Sequence, residues 1–430
     1  MLLLYSTTIT ARLRYICQFV FESQLGLSCR ITDDFDSWSA YTGGKINYSA
    51  KTYNGKAYTI IPHPLLFEKN IHEQQTDCFS WEGHPAFFKI QDSDIPFDIL
   101  AASFFLLSRY EEYLPYQPDL YFRFPHTQSL AFQQGFLNKP IINCWMITFG
   151  NQLMNTFQEL KPAFQKFRIQ ITFDIDMAWA YRHKGLLRNI AGFLQKPGLE
   201  RIKVLSGFQE DPFYNFKLLQ TAIEKSELPV IYFFLVAAKR SLYDKNISPQ
   251  QKSMQSLIRQ CSNAAVVGLH PSWQTHEKSS LISSEKKMLE EVSGKRIIHS
   301  RQHYIRFQLP DDYEKLIAAG IQHDYSMGYG TVNGFRASVA STFLWYNLIK
   351  DETSTLQIHP FCFMDANSYF EQKQTAEETS SELNYYHEVC KAANGIFIPV
   401  FHNHLLSASE KMKPWVKLFQ SFISQLPPAV

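Results

Sequence analysis

The chain has 430 residues, of which 45% are hydrophobic and 19% charged; that is enough apolar content to bury a large core and excludes disorder as the overall state. Its 42 Lys and Arg against 40 Asp and Glu leave a net charge of +2. This gives no broad attraction for nucleic acid or an anionic membrane and leaves only a local patch open.

At about 100–200 residues per domain, the length suggests two or three domains, or one large barrel with an attachment. Aromatics reach 15%, and composition does not decide between core packing and a cleft for a ring-shaped ligand. Seven cysteines spread from Cys17 to Cys390 without a CxxC pair, a pattern of reduced thiols in a cytoplasmic protein. The opening run MLLLYSTTITARLRYICQFVFE is interrupted by Arg12 and Arg14, so neither a secretory signal nor a spanning helix is expected.

In chain order, Leu2 to Tyr5 reads as a strand, and Leu13, Ile16, Cys17, Val20 and Phe21 share one helical face. The Gly/Asn/Tyr-rich stretch from Tyr41 to Lys56 reads as turns. Pro96 to Tyr113 reads as a strongly apolar helix destined for the core. From Phe167 the texture changes. Apolar strands are expected at 168–174, 230–236, 264–270, 296–304, 332–338, 354–360 and 395–402, with amphipathic helices between them. Such alternation implies a parallel sheet covered on both faces, and seven strands fit a closed α/β barrel. The expectation is a smaller α+β domain over 1–165, followed by the barrel over 166–430.

In such folds chemistry gathers at the carboxyl ends of the strands. Those ends carry Asp174 and Asp176, His270, Arg301 with His303, Arg336, His359 and His402. In ITFDIDMAW, alternation puts both carboxylates on one face, suited to a metal or to a base beside one. His270 follows an apolar strand and precedes Pro271, which makes it a metal-ligand candidate. His276 lies six residues on, and a loop would have to return it to the same ion. Strand periodicity aligns Arg301 with His303; Arg301 is suited to orient a carboxylate and His303 to serve as an alternative third ligand. His402 is a candidate general acid, and Arg336 and His359 are secondary candidates for substrate contact. Trp179 and Trp273 are suited to stack on a sugar ring, whereas Tyr304 reads as packing and His404 as a rim residue. His63, His72, His84 and His126 read as structural.

The order of these residues resembles the NodB-type polysaccharide deacetylases. TFDID stands where that family has TFDD, and HPSWQTH stands at its H-S/T-x-x-H motif. SRQHYIRF stands at the arginine motif and FIPVFHN at the late histidine, while HDYSMGYGTVNGFRAS resembles the groove region. The resemblance implies a distorted (β/α)7 barrel and a divalent metal: zinc, or else cobalt or nickel. It also implies Asp174 as base, Asp176 and His270 as ligands, Arg301 holding the base, and His402 protonating a leaving amine. The implied substrate is an acetylated sugar or glycan precursor. The two carboxylates are separated by Ile175, and the histidine motif has a different spacing. The third ligand is therefore His276 or His303, or the metal has been lost and the chain is a silent glycan-binding relative. A DxD-type phosphatase or sugar transferase is a further alternative, but it would need Lys and Asp partners of which no clear set is seen. The first 165 residues resemble a region of unassigned function found ahead of such domains, through FDILAASFFLLSRYEEYLPY.

Overall fold

The computed structural model describes residues 1–195, 197–224 and 227–426. Its N-terminal portion is built on four parallel strands: β1 (Leu2–Tyr5), β2 (Cys29–Thr32), β3 (Lys45–Asn47) and β4 (Tyr58–Thr59), in the order β2-β1-β3-β4. The strand β3 corrects the expectation of turns throughout 41–56. Its three residues are buried against β1, and that pairing overrides the local turn composition. The helices of this region include α1 (Ala11–Cys17), α2 (Ile99–Leu107) and α3 (Ile141–Thr156), and a shorter one over Phe35–Ala40 sets Trp38 against Leu3 and Tyr5 of β1. All nine residues of α2 are buried, as its unbroken apolar sequence requires. Asp98 caps it, accepting from the Leu100 and Ala101 amides.

The second portion is a mixed α/β sheet of nine strands. They are β5 (Ile171–Ile175), β6 (Val230–Leu235), β7 (Val266–His270), β8 (His299–Ser300), β9 (His323–Asp324), β10 (Phe343–Asn347), β11 (Glu352–Ile358), β12 (Phe363–Met364) and β13 (Pro399–His402). Their order is β10-β11-β9-β8-β7-β6-β5-β13-β12, with only β10 antiparallel to its neighbour. The helices accompanying them include α4 (Leu186–Gln195), α5 (Leu199–Leu205), α6 (Phe216–Glu224), α7 (Lys252–Ala264), α8 (Ser280–Ser293), α9 (Asp311–Ala318), α10 (Ala376–Ala392) and α11 (Lys413–Gln425).

Two strand expectations are corrected. No strand forms over 332–338; the Gly334 amide donates to Cys362 and the Phe335 amide to Leu137, so these groups bond connecting segments instead of a ladder. The strand expected over 296–304 ends at Ser300, and His303–Ile305 form a 3-10 turn in which Tyr304 has φ 60°.

Among the described residues no ladder joins the outer strands β10 and β12, so hydrogen bonding does not close the sheet. It is nevertheless strongly curled. In a flat sheet β5 and β8 would lie about 14 Å apart, three strand spacings. Yet Arg301, just after β8, places Nη1 2.8 Å from Asp174 Oδ1 in β5. The same guanidinium lies 4.5 Å from the Phe233 ring, 5.9 Å from Tyr325 and 5.6 Å from Phe361. Strands on several sides thus share one interior.

One apolar core runs through both portions. Across their junction Glu112 takes Arg336 in a bidentate pair at 2.8 and 2.6 Å, and Arg109 at 2.7 Å. Among the described residues, no helix is long and apolar enough to cross a membrane. All seven cysteines are unbridged.

Candidate metal centre

Along β5, Phe173 packs against Phe419 of α11. The two-residue period therefore turns Thr172 and Asp174 to the interior, followed by Asp176 just beyond the strand. Asp174 is 1% exposed. Its Oδ1 accepts from Arg301 Nη1, which also bonds Thr172 Oγ1 at 3.0 Å, while Arg301 Nε donates to the Tyr325 carbonyl. This is a fixed cation beside a carboxylate.

Asp176, His270 and His303 offer three ligand atoms within 4.8 Å of one another. His270 sits at the end of β7, where its Nδ1 meets the Arg301 carbonyl. A carbonyl only accepts, so the proton must sit on Nδ1. In the neutral ring, Nε2 then aims a lone pair at Asp176 Oδ1, 3.2 Å away. The same logic holds for His303: Nδ1 faces Asp244 Oδ1 at 3.2 Å, and Nε2 lies 3.8 Å from Asp176 Oδ1. Asp176 Oδ1 is buried without a hydrogen-bond partner. Lone pairs therefore converge from three sides on a spot that calls for a cation, and carboxylate or carbonyl groups behind each imidazole fix its orientation. The donor set fits a divalent metal. Burial opposes ionisation of Asp176, but the nearby His303, His270 and His402 hold its carboxyl well below the usual range.

His402 ends β13 with Nε2 3.9 Å from Asp174 Oδ2 and 3.7 Å from Asp176 Oδ2. Behind it, Asp365 Oδ1 lies 2.6 Å from Nδ1, and Asp365 Oδ2 accepts the His402 amide. Burial alone would lower the imidazole, but Asp365, with Asp176 and Asp174, outweighs it and pushes His402 up to about 9. His404, expected at the rim, lines the cavity. Burial, with His402 close by, pushes it down to about 4.

The cavity over these groups measures about 370 Å³, within the roughly 300–1,000 Å³ typical of small-ligand sites. Tyr243 and Tyr304 line it together with Tyr121 and Arg123 from the N-terminal portion. Arg123 Nη1 donates to the Tyr304 carbonyl at 2.8 Å, and Tyr121 stacks on Tyr304. Trp273 backs this aromatic wall, stacked on Tyr243 at 3.8 Å.

Four expected site residues lie elsewhere. His276 turns away to pair with Asp312 at 2.9 Å. Arg336 is consumed by Glu112, a partner 224 residues upstream that spacing does not reveal. His359 stacks on Tyr325 and bonds His323. Trp179 is buried against Tyr214. Sequence reasoning missed Asp244, Asp365, Tyr121 and Arg123. For Asp365 a signal was present: FCFMD repeats the apolar-run-then-carboxylate pattern of ITFD.

Residues 2–158 match the model of a family of unknown function, DUF7033. No curated protein matches the chain. Among solved structures, a Mycobacterium smegmatis protein assigned as a polysaccharide deacetylase is similar at 13% identity over 62% of this chain and 87% of that one, with a TM-score of 0.41. An allantoinase, Puue, is similar at 10% identity over 61% and 87%, with a TM-score of 0.40. A polysaccharide deacetylase from Bacillus cereus is similar at 9% identity over 60% and 87%, with a TM-score of 0.31. Likenesses this distant assign neither activity nor substrate.

Proposed function

We propose that the chain is a metal-dependent hydrolase that removes acetyl groups from an acetylated sugar or glycan, on a distorted barrel of the polysaccharide-deacetylase kind over residues 166–430. The observation that carries this reading is the convergence of the His270 and His303 lone pairs on the orphaned Asp176 Oδ1. Asp176, His270 and His303 would hold the divalent ion, and imidazole with carboxylate favours zinc, with cobalt or nickel as substitutes. When bound, the ion supplies Lewis acidity toward an acetyl oxygen and a lowered pKa for water.

The chain's own groups do the rest. Asp174, aimed by Arg301, removes the proton from the attacking water. His402 donates its Nε2 proton to the leaving nitrogen or oxygen, and Asp365 compensates the charge on the ring. Acetate and the free amine or hydroxyl result. The aromatic wall of Tyr121, Tyr243 and Tyr304 suits the apolar face of a pyranose ring.

The test is metal analysis of the purified chain together with acetate release from N-acetylated oligosaccharides and an O-acetylated sugar. About one bound zinc per chain and a loss of roughly 10²–10⁴ in turnover for Asp174→Asn are expected. A chain that neither retains nor takes up zinc or cobalt refutes the hydrolase and favours a silent relative.

A further inference from the structure

The α4–α5 hairpin inverts the rule for helices of soluble proteins. In α4, Leu186, Leu187, Ile190, Phe193 and Leu194 recur at i, i+1, i+4, i+7 and i+8, one helical face. That face points outward: Leu187 is 84% exposed, Leu186 76% and Leu194 75%. The buried residue of α4 is polar Asn189, whose side chain bonds the Tyr181 carbonyl. Beyond α4, Leu199 is 72% exposed and Phe208 87%. Monomeric soluble proteins rarely leave so continuous a patch bare.

The hairpin's root is firmly held. Asp211 accepts the amides of Ala180, Tyr181 and Arg182. Arg201 Nη1 bonds the Asn189 carbonyl, and Arg188 Nη2 bonds the carbonyl of Lys245, a cavity-lining residue. The base of α4 is therefore tied to a residue of the cavity wall. Two more exposed leucines, Leu120 at 94% and Leu242 at 75%, immediately precede the cavity residues Tyr121 and Tyr243.

Charge decides what covers this surface. Residues 182–210 contain six Lys or Arg and two Glu, whereas the other 401 residues sum to −2. A second copy meeting this face by twofold symmetry would set cations against cations. An apolar stripe with a cationic flank matches acyl chains beneath anionic headgroups.

We propose that this chain docks on an anionic lipid bilayer through the 186–208 hairpin, with the mouth of the site at the membrane surface. The helices lie in the interface and do not span it. Docking itself does not depend on the hydrolase reading.

The experiment is co-sedimentation of the full chain with vesicles of phosphatidylcholine containing about one-third phosphatidylglycerol, against pure phosphatidylcholine. Binding at least about ten-fold stronger on the anionic vesicles, weakening as salt rises, is expected. Leu187→Glu with Leu194→Glu should lower it about ten-fold or more with Tm and metal content unchanged. Arg188→Gln with Lys203→Gln, which leaves the apolar face intact, should flatten the salt dependence. Absence of sedimentation, or equal sedimentation of wild type and both variants, overturns the proposal. So does a wild-type dimer that Leu187→Glu with Leu194→Glu converts to monomer, which would make a second copy the occupant. Sedimentation reads docking and metal content reads the hydrolase site, so the two can fail separately.

Discussion

Asp244 and Asp365 stand behind different imidazoles and so make separable contributions. Asp244 orients His303 toward Asp176, whereas Asp365 fixes His402, which faces the two carboxylates. Replacing Asp244 with Ala should weaken metal binding about 10–100-fold, the usual cost of losing such a support. Asp365→Ala should leave metal affinity near wild type and lower kcat by about 10². Calorimetric zinc titration and steady-state kinetics on both variants test this. If both variants lose metal equally, the division of roles is wrong. Asp174, Asp176, His270 and His402 were legible in the sequence because each ends an apolar run, and alternation fixes the side on which such a residue lies. Which of His276 and His303 turns toward Asp176 was not legible. It depends on where Asp312 and Asp244 sit, and neither position follows from spacing.

At the scale of elements, the junction between the two portions rests on a buried charge cluster. Glu112 is 4% exposed and accepts from two arginines, of which Arg336 is 1% exposed. Burial opposes its ionisation, yet Arg336 and Arg109 hold its carboxyl below the usual range. Glu112→Ala would strand the Arg336 guanidinium in the interior and leave Arg109 with Glu111 as its carboxylate partner, at a cost of about 3–5 kcal/mol. Replacing both partners, Glu112→Leu with Arg336→Met, should recover most of that loss. Denaturant unfolding measures it, and a loss under about 1 kcal/mol for the single change would contradict the role. The same cluster explains why Arg336 looked functional from sequence. Arg336 falls at the end of the strand expected over 332–338, but no strand forms there and its carboxylate partner lies far upstream. Long apolar strands such as β5, β6 and β7 were legible from composition. The short strands β9 and β12 were not, since two residues carry no period and exist only through their neighbours, and β8 was expected at more than its two residues.

For the whole molecule, the curled interior holds a second histidine group, His299, His323 and His359, stacked and bonded to one another. Burial, with His323 close by, pushes His299 down to about 4; burial with His323, His299 and Arg168 pushes His359 to about 3; burial also lowers His323. An unfolded chain protonates these rings near pH 6.5. Between that pH and about 4 the unfolded state therefore binds more protons, and stability falls as pH falls. Tm should drop from pH 7 to pH 5, and less steeply in His359→Phe, which keeps the stack on Tyr325. Parallel pH profiles for the two proteins would show that this ring does not contribute.

The outer strand β10, with sequence FLWYN, has β11 on one side only. On its other side Tyr15 of α1 donates to the Leu344 carbonyl, and Tyr346 packs between Tyr15 and Phe104 of α2. The N-terminal portion thus shields an aromatic strand that would otherwise be an open template for edge-to-edge pairing. Cut away, it would leave the remaining sheet prone to assemble with its own copies. On this view, one service of the first 165 residues is to keep the second portion from polymerising.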